Sequence, residues 1–102
     1  MKKISIVIPA HNEEKGLPIL LKKLRKLYGK KYETIVVDDG STDRTAEVAK
    51  KFNVKLVRTG GRSGKGGALR RGFSVAHGNI IVMMDADLSH KPEDIPSLLK
   101  PL

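Results

Sequence analysis

Hydrophobic and polar residues follow one another along this chain in two rhythms, and the switches between them mark out its elements. Short apolar runs, Ile4-Ser5-Ile6-Val7-Ile8, Ile35-Val36-Val37 and Ile80-Ile81-Val82-Met83-Met84, have the length of strands and end in polar or turn-forming residues. Between the first two, Leu17, Leu20, Leu21, Leu24 and Leu27 recur at i, i+3, i+4, i+7 and i+10, one apolar stripe on a helix. The pattern predicts strands over 3–8, 33–37, 55–57 and 79–84, and helices over 13–28, 43–52, 66–76 and 92–99. The unbroken runs at 35–37 and 80–82 predict strands covered on both faces, as in a parallel sheet. The fold class is therefore α/β. Right-handed crossovers give a doubly wound, Rossmann-like sheet of four parallel strands, ordered 3-2-1-4 and flanked by helices. Ligands are expected outside the carboxyl ends of its strands, at the switch between strands 1 and 4.

A length of 102 residues with 39% hydrophobic content suits one domain, 1–102, and no internal repeat, low-complexity tract or linker divides it. Cysteine is absent, which excludes disulfides, thiolate metal sites and cysteine nucleophiles and fits a reducing, cytoplasmic setting. The basic start Met1-Lys2-Lys3 precedes an apolar run too short for a signal peptide and cut by Pro9, so it reads as a first strand. No run approaches the ~18 apolar residues of a membrane span, so any membrane contact is expected to be peripheral.

The net charge of +9 is unevenly placed. From Val48 to Met84 there is no acid, while Lys50, Lys51, Lys55, Arg58, Arg62, Lys65, Arg70 and Arg71 are all basic. Such a field attracts nucleic acid, anionic lipid and phosphorylated small molecules alike, and a solubilising surface accounts for many of the lysines. The aromatics Tyr28, Tyr32, Phe52 and Phe73 are not interleaved with basic residues as in a base-stacking surface, so specific nucleic-acid binding is not expected.

Each long apolar run leads into an unusual polar segment: Pro9-Ala10-His11-Asn12-Glu13, Asp38-Asp39-Gly40-Ser41-Thr42-Asp43 and Asp85-Ala86-Asp87. All three fall at one edge of the expected sheet. Asn12 can cap the first helix, and Ser41, Thr42 or Asp43 the second. Capping does not require Asp38 and Asp39, whose carboxylates are costly at the end of an apolar strand unless they meet donors or a cation. Either a ligand contact for at least one of them or a purely turn-forming role would satisfy that need. Asp85 and Asp87 end a buried strand with no neutralising partner at hand in the sequence. Residues i and i+2 of a strand share a face, so both carboxylates could address one hard cation, Mg²⁺ or Mn²⁺, whose shell substrate phosphates complete. The alternative is that they merely cap the segment before Pro92-Glu93-Asp94.

The stretch Gly60-Gly61-Arg62-Ser63-Gly64-Lys65-Gly66-Gly67-Ala68-Leu69 reads as a phosphate cradle at a helix start or as a flexible loop. It is not a P-loop, because Thr59 and Gly66 stand where Gly and Ser or Thr are needed, and it fails the dinucleotide fingerprint at Leu69. Arg62 and Lys65 are its candidate anion contacts.

Together, Pro-Ala-x-Asn-Glu at 9–13, Val-Asp-Asp-Gly-Ser-Thr-Asp at 37–43, Gly-Lys-Gly-x-Ala-Leu at 64–69 and Asp-Ala-Asp-Leu-Ser-His at 85–90 resemble the family 2, GT-A type glycosyltransferases. Within them the resemblance is to the polyprenyl (dolichol) phosphate mannosyl- and glucosyltransferases, and it covers essentially the whole chain. It implies a nucleotide-sugar-binding domain of a metal-dependent hexosyltransferase, with GDP-mannose or a UDP-sugar as donor and a polyprenyl phosphate at a membrane surface as acceptor. By that resemblance Pro9, Ala10, Glu13 and Asp39 contact base and ribose, and Asp38 assists or supports the turn. The implied donor site comprises Pro9, Ala10, Asn12, Glu13, Asp38, Asp39, Gly64, Lys65, Asp85 and Ala86. Asp85 and Asp87, with Ser89 as a third ligand, would hold Mg²⁺ or Mn²⁺; His90 would bind, orient or simply turn the surface.

The resemblance also implies that acceptor elements lie past the D-x-D motif, so a chain ending at Leu102 corresponds to the donor half, and no general base is assigned. The sheet edge beside strand 4 is then expected to be exposed and to favour a homodimer. The competing readings are a basic nucleic-acid-binding α/β module and a non-catalytic nucleotide-binding or oligomerising domain.

Overall fold

The computed structural model describes residues 3–29 and 31–86. Asp87, Ser89, His90 and the helix expected over 92–99 lie outside the described residues. In order the elements are β1 (Ile4–Ala10), α1 (Gly16–Tyr28), β2 (Glu33–Asp38), α2 (Thr45–Lys50), β3 (Lys55–Arg58), α3 (Gly64–Val75) and β4 (Ile80–Met83). All pairings are parallel and the sheet order is β3-β2-β1-β4, as the strand and helix pattern predicts.

Alternation along β1 and β2 divides the core between two faces. Ile6, Ile8 and Val36 pack with Leu17, Leu20, Leu21 and Leu24 of α1 and Ala49 of α2. Val7, Ile35 and Val37 pack with Ala68 of α3 on the other side. The chain steps in one direction across the sheet from β1 to β3 and reverses to reach β4. Right-handed crossovers then require α1 and α2 on one face and α3 on the other. The reversal opens the sheet edge between β1 and β4.

Three expectations are corrected. Leu27 is exposed, because it falls at the margin of the stripe that centres Leu17, Leu20, Leu21 and Leu24 on the sheet. β4 is covered on one face only among the described residues: Val82 is buried, whereas Ile81 and Met83 stand exposed. Asn12 does not cap α1, whose first residue is Gly16; its backbone is left-handed, φ 52°, and its side chain reaches instead to the loop after β2.

At the amino end of the sheet, Glu33 fastens β2 to the segment before β4. Its Oε1 accepts from Ser5 Oγ at 2.7 Å and from the His77 backbone N–H at 2.8 Å, and its Oε2 lies 2.9 Å from His77 Nδ1. Burial alone would raise its pKa, but the bonds from His77 and Ser5 outweigh it and hold the carboxyl at about 2. The same end carries an apolar cleft of about 580 Å³ walled by Leu21, Leu24, Phe52 and Val54. It is larger than the cavity at the carboxyl edge, but far from every motif that carries chemistry.

Close approach of α3 to the sheet depends on Gly72, where a Cβ would stand 2.4 Å from Val7 Cγ1 and 3.2 Å from Val37 Cγ2. Valine is stiff at χ1 and cannot step aside. Gly66, in the same helix, meets nothing within 4 Å. Gly66→Ala should therefore stabilise by about 0.5–1 kcal/mol. Gly72→Ala should destabilise by about 1–2 kcal/mol net of the same helix gain. Urea unfolding of the two variants against the parent checks the opposite signs.

Candidate functional site

Every polar segment singled out in the sequence arrives at the carboxyl edge of the sheet, where two loops brace each other. Asn12 Oδ1 accepts the Thr42 backbone N–H at 2.8 Å, and the Asn12 backbone N–H donates to Ser41 Oγ at 3.0 Å. Glu13 donates its N–H to Thr45 Oγ1 at 2.9 Å, and Glu14 to Asp43 Oδ2 at 3.3 Å. Asp43 also accepts the Thr45 backbone N–H at 2.9 Å, so of the three candidates it is Asp43 that meets the start of α2, although Arg44 occupies the N-cap position. His11 Nδ1 lies 2.9 Å from the Asp39 carbonyl, which can only accept, so Nδ1 carries the proton.

Asp38 and Asp39 are both buried and both satisfied by the chain itself. Asp38 Oδ1 accepts the Ser41 N–H at 3.2 Å, and its Oδ2 faces Arg58 Nε at 3.4 Å. Asp39 turns the other way, toward the glycine-rich loop. Its Oδ1 accepts from Ser63 N–H at 2.8 Å, Ser63 Oγ at 2.6 Å and Thr59 Oγ1 at 2.9 Å; its Oδ2 accepts from Gly64 N–H at 2.9 Å, with Arg62 Nη1 at 3.5 Å. Burial pushes its pKa up, but the Ser63, Thr59 and Gly64 donors outweigh burial and hold it at about 2. The first N–H groups of α3, read in the sequence as a cradle for phosphate, are thus turned onto a carboxylate of the protein. Gly40 makes this approach possible: its φ is 71°, and a Cβ there would stand 2.8 Å from the Arg62 backbone nitrogen.

Asp85, just beyond β4, is not without a neutralising partner, contrary to the sequence reading. Lys65, the second residue of α3, places Nζ 2.7 Å from Asp85 Oδ1. The partner comes from a distant part of the chain, so its proximity is invisible in the local sequence.

These groups converge on a cavity of about 330 Å³ lined by Pro9, Ala10, Glu13, Asp39, Lys65, Asp85 and Ala86, together with His11, Arg62 and Ala68. Its position is the switch point between β1 and β4, and its size suits a small-molecule site. Of the expected donor-site residues, Asn12, Asp38 and Gly64 do not line it. Asn12 is spent on the loop brace, Gly64 stands behind Asp39, and Asp38 lines a neighbouring cleft of about 250 Å³ with Arg58 and Gly60. His11 escaped the sequence reading, although its place directly after the first strand was the available signal. Asp85 presents to this cavity a carboxylate, the donor type that a hard divalent cation takes. No group of three or more His, Asp or Glu side chains forms a complete ligand set among the described residues.

The family model described as Glycosyl transferase family 2 matches residues 5–102. The dolichol-phosphate mannosyltransferase of Pyrococcus furiosus is 43% identical over 96% of this chain and 29% of that protein. The undecaprenyl-phosphate 4-deoxy-4-formamido-L-arabinose transferase of Photorhabdus laumondii is 38% identical over 98% of this chain and 34% of its own length. The chain thus spans about a third of the length of these relatives. Among solved structures, glucosyl-3-phosphoglycerate synthase of Mycobacterium tuberculosis, in complex with Mn²⁺, UDP and glucosyl-3-phosphoglycerate, superposes with a TM-score of 0.80. That similarity is at 34% identity and covers 93% of this chain and 37% of the other.

Asp39 generates a stability prediction with a definite sign. Its pKa falls from 3.8 to about 2 on folding, so its contribution is complete above the unfolded value and is lost as pH falls through the folded one. Asp39→Asn should lower the unfolding free energy at pH 7 by about 1–3 kcal/mol, because buried donors lose a charged acceptor. It should also flatten the loss of stability between pH 4 and pH 2, roughly the interval between those pKa values. Denaturant titrations at several pH values measure both.

Proposed function

The chain belongs to glycosyl transferase family 2, and from that premise we propose that its cavity is the donor-binding half of a metal-dependent transferase moving a hexose from a nucleoside diphosphate to a polyprenyl phosphate. The observation that carries this reading is the gathering of Asp39, Arg62, Lys65 and Asp85 around one cavity at the strand switch point. They form two ion pairs, Arg62 with Asp39 and Lys65 with Asp85, and both pairs face the cavity. Pro9, Ala10, Glu13 and Asp39 are the groups for base and ribose, and Arg62 and Lys65 supply cations for the diphosphate. GDP-mannose is the first donor to test and UDP-sugars the next.

Held by Asp85 and Asp87, with Ser89 as a further ligand, Mg²⁺ or Mn²⁺ would supply positive charge opposite the diphosphate leaving group. In the transfer, the bond between the anomeric carbon and the diphosphate oxygen breaks as a bond to an acceptor phosphate oxygen forms. A phosphate acceptor is already ionised, so no general base is required of this chain. The acceptor would bring the protein to the cytoplasmic face of a membrane as a peripheral partner. Among the described residues no helix is long and apolar enough to cross one.

Calorimetric titration of GDP, UDP and their sugar conjugates, with and without Mn²⁺, tests the reading. Metal-dependent binding of one nucleotide, abolished in Asp87→Ala, is the expected result. Nucleic-acid binding that weakens steeply with salt and ignores that mutation would instead favour a nucleic-acid module. The β4 edge, exposed at Ile81 and Met83 among the described residues, is further proposed to pair with a second copy. Sedimentation at micromolar concentration should show a dimer, and a monomer overturns that pairing.

A further inference from the structure

The ion pair between Lys65 and Asp85 joins the first turn of α3 to the segment after β4, and each residue reaches it from a different sequence motif. The Lys65 side chain is 63% exposed and that of Asp85 25%, so the pair stands at the mouth of the cavity and is not sealed in the core. We propose that Lys65 is the counter-ion of Asp85 in the metal-free protein, that a divalent cation displaces it, and that the released ammonium then pairs with the donor's phosphates. This inference rests on the donor-site reading above.

One carboxylate oxygen cannot serve both cations at close range. The ammonium lies 2.7 Å from Oδ1, and a hard dication on that oxygen would sit at about 2.0–2.6 Å. Two positive charges would then crowd the same lone pairs. Lysine is suited to yield, since its point charge rides on a flexible four-carbon stem and binds without the fixed fork of arginine. Its root at the first turn of α3 keeps it at the cavity after release. Of the other carboxylates lining the cavity, Asp39 is already taken by Ser63, Thr59, Gly64 and Arg62 and offers the ammonium little, and Glu13 carries less negative charge than a diphosphate. A diphosphate in the cavity does offer it an anion. Metal alone must therefore compete with Lys65, whereas metal with nucleotide need not, and the two ligands become positively coupled.

The test is Mn²⁺ binding to the whole 102-residue chain, by electron paramagnetic resonance of the free ion, first without nucleotide and then with saturating UDP or GDP. The parent is compared with Lys65→Gln and with Arg70→Gln, which removes the same charge from an exposed position outside the cavity lining. Lys65→Gln should bind Mn²⁺ alone about two- to fivefold more tightly, the range expected for loss of an exposed ion pair. Arg70→Gln should match the parent, and nucleotide should raise Mn²⁺ affinity less in Lys65→Gln than in the parent. Unchanged or weaker Mn²⁺ binding by Lys65→Gln overturns the displacement while leaving the donor site intact. An equal gain in Arg70→Gln overturns it too, by reducing the effect to net charge. Failure of all three proteins to bind Mn²⁺ in any condition overturns both this inference and the donor-site reading.

Discussion

A carboxylate buried at the end of β2 is tolerable only if donors converge on it, and at Asp39 the start of α3 provides them. Ser63, Gly64 and Thr59 donate to it and Arg62 approaches it, so the position of the glycine-rich loop, and with it Lys65, is tied to one side chain. Asp39 gains the favourable end of a helix dipole, and the helix gains an acceptor for N–H groups that have no partner within it. The constraint is mutual. If the loop moved, the carboxylate would be stranded in a buried position; if the carboxylate were lost, the loop would lose the acceptor shared by Thr59, Ser63 and Gly64.

The electrostatics of the edge follow from the same arrangement. Although the chain carries +9 overall, the cavity combines Glu13, Asp39 and Asp85 with Arg62 and Lys65. The acids come from strand ends and the segments after them, and the bases from the loop between β3 and α3 and the first turn of that helix. Opposite charges are therefore delivered by different parts of the fold to one cavity. A ligand that is itself divided, with polar hydrogen-bonding groups at one end and phosphates at the other, suits such a surface better than a uniformly anionic polymer does.

Much of this fold was legible in the sequence, for identifiable reasons. Strand and helix periods differ enough to separate Ile35-Val36-Val37 from the leucine stripe of α1, and crossover handedness then leaves few strand orders. The site was legible as a set of segments at one edge, because residues after parallel strands must gather there. What could not be read was which side chains look inward and which serve their neighbours. Asn12 and Asp38 sit in the same motifs as Glu13 and Asp39, yet Asn12 goes to Thr42 and Asp38 to Arg58. The exposure of Ile81 and Met83 was hidden for a related reason: an apolar run reports that a strand suits burial, not that both faces are covered among the described residues.

The brace between the loops after β1 and β2 makes them a single piece of architecture. Asn12, held at φ 52°, reads the backbone of Thr42, while Ser41, Asp43 and Thr45 read the backbone of residues 12–14 in return. Neither loop has a geometry of its own to export. Transplanting one of them from a relative, as a way of changing what the cavity accepts, would import half of a matched pair, so recombination at this edge must exchange both segments together.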